Sequence, residues 1–162
     1  FIILLKLNKI TKFIHMKKYL LIFLLLSACA PSMLTYEQNK SIPVKSSIIV
    51  CLSDSSFDNT YTKVKNVLLD EGYTFKKEDQ KSGTINTIKR YYGQRTVGRF
   101  DFNLKKEGNT VKCTIEPFYF DYQATIPRYY PAEYRKNGHA SVVFSNALLL
   151  ANKMDFKKIT CE

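Results

Sequence analysis

Three cysteines and one histidine are the side chains in the body of the chain whose types could support nucleophilic chemistry. Cys51, Cys113 and Cys161 are widely spaced, and His139 stands alone. A thiol enzyme needs a cysteine and a histidine within hydrogen-bonding distance, and no local signature predicts that pairing here. Zinc needs three or four suitably spaced ligands, and the sequence has neither Cys-x-x-Cys nor His-x-x-x-His. We expect no metal and no cofactor, and a Cys-His hydrolase or other thiol enzyme is the second interpretation.

Aromatic and basic residues crowd into one short stretch, which favours binding over catalysis. The candidate binding residues are Tyr119, Tyr122, Arg128, Tyr129, Tyr130, Tyr134 and Arg135. Tyrosine offers broad contact area with a polar tip at small entropic cost, so it is common on binding surfaces. Pro127, Pro131 and Gly138 predict a long loop over residues 123–138. The alternative is that several of these rings cover a sheet edge beneath that loop.

The first thirty residues have the order of an export signal. Met16 is the better start, with residues 1–15 an upstream segment, and Lys17-Lys18 precede an apolar run over residues 19–26. Eight apolar residues are too few for a helix that spans a bilayer, which needs roughly 20. Leu26-Ser27-Ala28-Cys29 resembles the lipobox of bacterial lipoproteins. That resemblance implies cleavage before Cys29 and a diacylglyceryl group on its thiol; the alternative is an uncleaved anchor.

The lipoprotein resemblance also implies a cellular location. It predicts a signal peptide within residues 1–28 and a lipidated cysteine with a flexible tether over residues 29–42. The protein would be anchored in the cell envelope through fatty acyl chains such as palmitate. Ala30 resembles the usual residue for export to the outer membrane, where the protein would face the periplasm if the cell has two membranes. With Cys29 lipidated, we expect either one disulfide among Cys51, Cys113 and Cys161 or three free thiols.

The charge balance is uneven along the chain. Its 162 residues include 25 basic and 14 acidic side chains, for a formal net charge of +11. Five of the lysines precede Cys29 and no acid does, so the rest of the chain carries 20 basic against 14 acidic residues. This moderate excess favours solubility and attraction to anionic surfaces. We expect no nucleic acid as a partner, because an exported protein does not meet one.

Hydrophobic periodicity predicts one α+β domain over residues 43–162. Alternating apolar and polar residues over 97–107 and 110–116 indicate antiparallel strands that are wet on one face. Helical spacing begins near Phe57 and ends at Gly72, and a second apolar stripe begins after Ser141. The predicted architecture has two layers, with an antiparallel sheet of about five strands and two helices on one face, in the order β-α-β-β-β-β-α.

One segment carries a second resemblance. Val64-x-x-Val67-Leu68-x-x-x-Gly72-Tyr73, followed by Asp79-x-x-x-Gly83-x-Ile85-x-Thr87, resembles the repeating unit of BamC-like envelope lipoproteins, in which a helix leads through a glycine into a hairpin. The similarity lies within residues 57–87 and implies an accessory or scaffolding role without catalysis.

Three functions stay open from the sequence. The first is a membrane-anchored, non-enzymatic binding or assembly module that holds an envelope protein or an anionic glycolipid. The second is the thiol-dependent enzyme, and the third is a purely structural envelope lipoprotein. Whether the chain forms oligomers is not readable from its residues.

Overall fold

The computed structural model describes residues 42–93, 95–134 and 138–162, which form an antiparallel sheet with two helices. Cys29, the predicted signal and residues 29–41 of the predicted tether therefore lie outside the described residues. Ile42, the last residue of that tether, is 7% exposed and packs in the core. The elements in chain order are β1 Ile49–Ser53, α1 Phe57–Asp70, β2 Phe75–Asp79, β3 Thr84–Thr87, β4 Arg90–Tyr92, β5 Thr96–Glu107, β6 Thr110–Asp121, β7 Arg128–Pro131, α2 His139–Lys153 and β8 Lys158–Cys161. The α+β class with two helices and an antiparallel sheet is confirmed.

The sheet has eight strands, so the prediction of about five was wrong. Six of the strands lie side by side in the order β2-β3-β5-β6-β1-β8. Strand β4 also pairs with β5, and β7 also pairs with β6. The 12-residue strands β5 and β6 are long enough for each to pair with two short strands end to end. Residues 84–92 were expected to form one strand but form two, β3 and β4, which are separated by two residues. Strand β7 was assigned to the 123–138 loop, and β8 was not predicted because it has only four residues.

The alternation along β5 and β6 determines which face carries the core. Phe100, Phe102 and Leu104 lie on the face that packs against the helices, and each is at most 1% exposed. Both helices contact β5 and each other, so they form one layer on this face. Arg99 and Asp101 alternate with those residues and lie on the opposite face, which we call the open face because no described helix covers it.

Local signals explain how the helices are placed. The Ser56 side chain accepts a hydrogen bond from the Asn59 N–H at 3.3 Å, which caps α1 at its first turn. Helix α2 begins at His139 after Gly138, and not at Ser141 as its sequence indicated. It approaches β5 closely because Gly98 has no side chain: a Cβ there would lie 2.6 Å from Cγ1 of Val143.

Candidate functional site

The predicted binding residues do not form one surface, because successive residues of a strand point to opposite faces. Strands β6 and β7 pair Tyr119 with Tyr130 and Phe120 with Tyr129. Tyr119 and Tyr130 therefore lie on the helix side of the sheet, whereas Tyr129 lies on the open face.

On the helix side, the aromatic residues extend the core. The Tyr119 and Tyr130 ring centroids lie 6.0 Å apart, and the Arg128 guanidinium lies 4.8 Å from the Tyr130 ring centroid. Tyr134 packs against Phe144 of α2, with the two ring centroids 5.7 Å apart. These contacts match the alternative in which rings cover the sheet. Arg135 lies outside the described residues.

The open face carries a second group of rings, which we call the aromatic cluster. It consists of Tyr91, Val97, Arg99, Phe118, Phe120, Tyr122 and Tyr129, drawn from β4, β5, β6, β7 and the residue after β6. The Phe120 ring meets the Tyr122 ring at 4.6 Å and the Tyr129 ring at 5.0 Å, both edge to face. Val97, opposite Tyr91 in the β4–β5 register, is 1% exposed although no described helix covers its face. The cluster is thus a small second core at the surface.

A stacked arginine organises the cluster. The Arg99 guanidinium lies 5.1 Å from the Phe118 ring centroid and 4.9 Å from that of Tyr129. Its Nη2 reaches Oδ2 of Asp101 at 3.5 Å. A guanidinium can stack on aromatic faces and still hold a carboxylate, which lysine does less well. The Arg99 guanidinium is therefore held against side chains of this chain, although its buried Nε has no hydrogen-bond partner there.

The rim of the cluster is exposed. Tyr91 is 61% exposed and Tyr122 is 55% exposed, and both carry a hydroxyl beside a buried apolar centre. Partial desolvation, together with a hydrogen bond between its hydroxyl and that of Tyr91, raises the pKa of Tyr122. The rim thus offers two exposed rings and a pair of linked hydroxyl groups to a partner.

The predicted binding residues include Tyr122 and Tyr129 but not Arg99, Phe118 or Phe120 of the cluster. Arg99 and Phe118 face each other in the β5–β6 register, nineteen positions apart in the sequence. The sequence signal for these residues was the alternation of apolar and polar residues along β5 and β6. It places Arg99 and Phe120 on the face of the sheet that points away from the core.

The structure separates the candidate nucleophiles from the candidate base. His139 Nδ1 lies 2.6 Å from the Thr96 hydroxyl, at the start of β5. Cys113 pairs with Leu104, eight residues further along β5, or about 26 Å at about 3.3 Å per residue. Cys51 is the direct neighbour of Cys113 on β1. The Cys-His pair that a thiol hydrolase needs is not formed by these residues.

The three described cysteines are free thiols with unequal access. Cys51 and Cys113 are 0% exposed, and burial raises the pKa of the Cys51 thiol to about 12 and that of Cys113 well above its ordinary value. Cys161 is partly exposed, and burial raises its pKa as well. Raised pKa values suppress the thiolate, which is the reactive form. A disulfide among the three stays a prediction, and the β1–β6 register makes Cys51 and Cys113 the directly opposed pair.

Thiol labelling of the reduced, folded protein is expected to follow this burial. At pH 8 a maleimide should modify Cys161 at least about 100-fold faster than Cys51 or Cys113, because the buried thiols react only when the sheet opens. Peptide mapping by mass spectrometry after timed quenching measures the three rates. Similar rates at Cys51 and Cys161 would contradict the burial described here, and addition of denaturant provides the control in which all three react.

In the described part of the chain, no group of three histidine, cysteine or acidic side chains could hold a metal ion. None of the helices found there is long and apolar enough to cross a bilayer. No protein-family model matches the chain, and no curated protein matches it.

Proposed function

We propose that this protein is a lipid-anchored envelope lipoprotein that acts as a non-enzymatic binding or assembly module. The lipobox ending at Cys29 supports anchorage, with the outer membrane facing the periplasm as the location in a cell with two membranes. The open face of the sheet supplies the binding surface. In this proposal, the aromatic cluster contacts a partner protein of the envelope.

The observation that carries the proposal is the combination of a buried centre and an exposed tyrosine rim. Val97 is 1% exposed within the cluster, while Tyr91 and Tyr122 are more than half exposed at the edge. Residues that dominate protein–protein affinity are enriched in tyrosine and arginine and sit beside a desolvated centre. An ordinary solvated sheet face would carry separate polar side chains here instead of contacting rings.

The chemistry of the cluster favours a protein over an anionic glycolipid. Recognition of a phosphate or carboxylate needs free guanidinium donors. Arg99 is stacked between Phe118 and Tyr129 and reaches Asp101, and Arg128 lies on the helix side of the sheet over Tyr130. What remains exposed is apolar ring surface with hydroxyl groups, which suits an apolar patch with nearby carbonyl acceptors.

A capture experiment tests this proposal. The tagged protein, solubilised with its envelope in mild detergent, should retain a specific protein whose yield falls about 10-fold or more in the double variant Tyr91→Ala and Tyr122→Ala, because two rim contacts are truncated. Quantitative mass spectrometry of the captured material gives the ratio. Neither side chain belongs to the core between the sheet and the helices, so circular dichroism should show that the variant is folded at the temperature of capture.

Leu69→Ala is the matched control. Leu69 is 48% exposed on α1, in the helix layer, and its truncation removes exposed apolar surface from the other side of the molecule. Capture should be unchanged in this control. If the double variant captured every protein that the unmodified chain captures, the cluster would not be the binding surface and the purely structural role would be favoured.

A further inference from the structure

The two strands that end the main order of the sheet, β2 and β8, differ in how well they resist pairing with another strand. Edge strand β2 carries four consecutive charged residues, Lys76 to Asp79, and its register shifts between Phe75 and Lys77. Charges and bulges of this kind are the devices that block edge-to-edge association. Edge strand β8 is regularly paired with β1 and has Ile159, Thr160 and Cys161 in succession. It is the less protected of the two edges.

Hydrogen bonds to β1 show which backbone groups of β8 point outward. Ile48 and Glu162 exchange both of their backbone bonds, at 3.0 and 2.9 Å. Such doubly bonded pairs alternate along an antiparallel ladder, so Thr160 also bonds to β1. Ile159 and Cys161 therefore direct their N–H and C=O groups away from β1, where no strand of the described residues lies. These four groups form a template for one more antiparallel strand.

The sequence of this edge is complementary to itself. Reversed and centred on Thr160, the segment Lys-Ile-Thr-Cys-Glu places Lys158 opposite Glu162 of a second copy and Ile159 opposite Cys161 of a second copy. The same register places Thr160 opposite Thr160. It also lets the outward-pointing backbone groups of Ile159 in one copy bond to those of Cys161 in the other. The register that pairs the charges is therefore also the register that pairs the backbone hydrogen bonds. Among the described residues, neither Lys158 nor Glu162 has an ion-pair partner.

We propose that two copies of this chain pair antiparallel through β8, centred on Thr160, and so continue the sheet across a two-fold axis. A two-fold interface requires one self-complementary patch, and this edge provides it. Ile159 and Cys161 also line a depression of about 410 Å³ between β8 and α2, beside Ile42 and Leu148. In the dimer, the Ile159 side chain of the second copy lies beside this depression. The dimer therefore buries apolar surface on the helix side of the sheet.

The dimer is expected to be weak in dilute solution. Stable interfaces bury about 1,200–2,000 Å² in total, and a strand of four residues with one adjacent depression supplies less. We therefore expect dissociation in the micromolar range. Anchorage of both copies to one membrane would raise their effective concentration and favour pairing, a consequence that rests on the proposed function. The pairing itself does not depend on the anchor or on the aromatic cluster.

Cysteine crosslinking tests the register. In the full chain carrying Cys161→Ser, the change Thr160→Cys places two thiols opposite each other in a non-hydrogen-bonded pair, where the Cα atoms are about 4.5 Å apart and a disulfide can form. Oxidised glutathione accepts the two electrons, and two molecules of reduced glutathione leave as the S–S bond forms. We expect most of the protein, in mild detergent at about 10 µM, to become a covalent dimer.

The crosslinking control is Lys112→Cys in the same Cys161→Ser background. Lys112 lies on the same open face but on β6, between β5 and β1, where a second copy paired through β8 cannot reach it. This control should stay monomeric. Equal crosslinking of the two variants, or no crosslinking of Thr160→Cys, would overturn the proposed pairing.

Charge reversal gives a second measurement that does not use cysteine. Lys158→Glu and Glu162→Lys should each weaken self-association about three- to tenfold in sedimentation analysis, because each places like charges opposite each other twice in the dimer. The double reversal restores opposite charges and should restore the original dissociation constant. Unchanged association in the single variants, or a double variant no better than either single one, would refute the register. Loss of partner capture by the aromatic cluster variant would leave both outcomes unaffected.

Discussion

Replacing Gly83 with alanine is expected to lower the free energy of unfolding by about 3–5 kcal/mol, because the change combines an unfavourable backbone conformation with a steric clash. Gly83 has a φ of +70°, which costs an L-amino acid about 1–2 kcal/mol. A Cβ at this position would lie 2.1 Å from the Leu104 carbonyl oxygen, far inside contact distance. The neighbouring strand cannot easily retreat, since the Leu104 N–H donates to the Gly83 carbonyl at 2.8 Å.

Gly108→Ala is the control that isolates the clash. Gly108 has a similar φ of +61°, but a Cβ there would meet nothing within 4 Å. It should therefore lose only the conformational part, about 1–2 kcal/mol. Urea unfolding followed by circular dichroism measures both variants. Equal losses in the two would mean that the turn before β3 does not hold Gly83 against β5 as described.

The long central strands β5 and β6 were predictable because each has one buried face and one more exposed face. Phe100, Phe102 and Leu104 alternate with polar residues over enough positions to fix both the strand and its core side. The short strands gave weaker signals. Strand β7 has four residues and ends in a proline, and β8 has four residues and begins at the second of two consecutive lysines. Their strand conformation comes from pairing with β6 and β1, which is a property of the tertiary fold.

The candidate site was only partly predictable for a related reason. The sequence shows that Tyr119, Tyr129 and Tyr130 are close along the chain, but neighbours on a strand point to opposite faces. Residues that do meet, such as Arg99 and Tyr129, come from strands whose pairing depends on a ladder through β6. Composition therefore indicated a binding surface, while its membership required the register.

The other large expected effect concerns Cys29, on which the proposed anchorage depends. In a bacterial host that processes lipoproteins, Cys29→Ser should abolish incorporation of labelled fatty acid and release the domain from the membrane fraction. Each buried methylene contributes about 0.8 kcal/mol, so removal of two or three acyl chains leaves too little apolar surface for stable binding. Serine keeps the size of the side chain but lacks the thiol that accepts the diacylglyceryl group in lipoproteins.

Cys161→Ser is the matched control, because it removes a cysteine from the end of the chain and leaves the lipobox intact. Its labelling should equal that of the unmodified protein. Any loss of label in this control would mean that the label reports a different thiol.

Metabolic labelling with a fatty acid, combined with mass spectrometry of the mature N-terminus, tests the account most directly. We predict that the purified protein begins at Cys29, carries acyl chains there, and loses them in Cys29→Ser. An unlabelled protein that begins at Met16 and stays in the aqueous fraction would contradict the proposed anchorage and, with it, the assignment to the envelope.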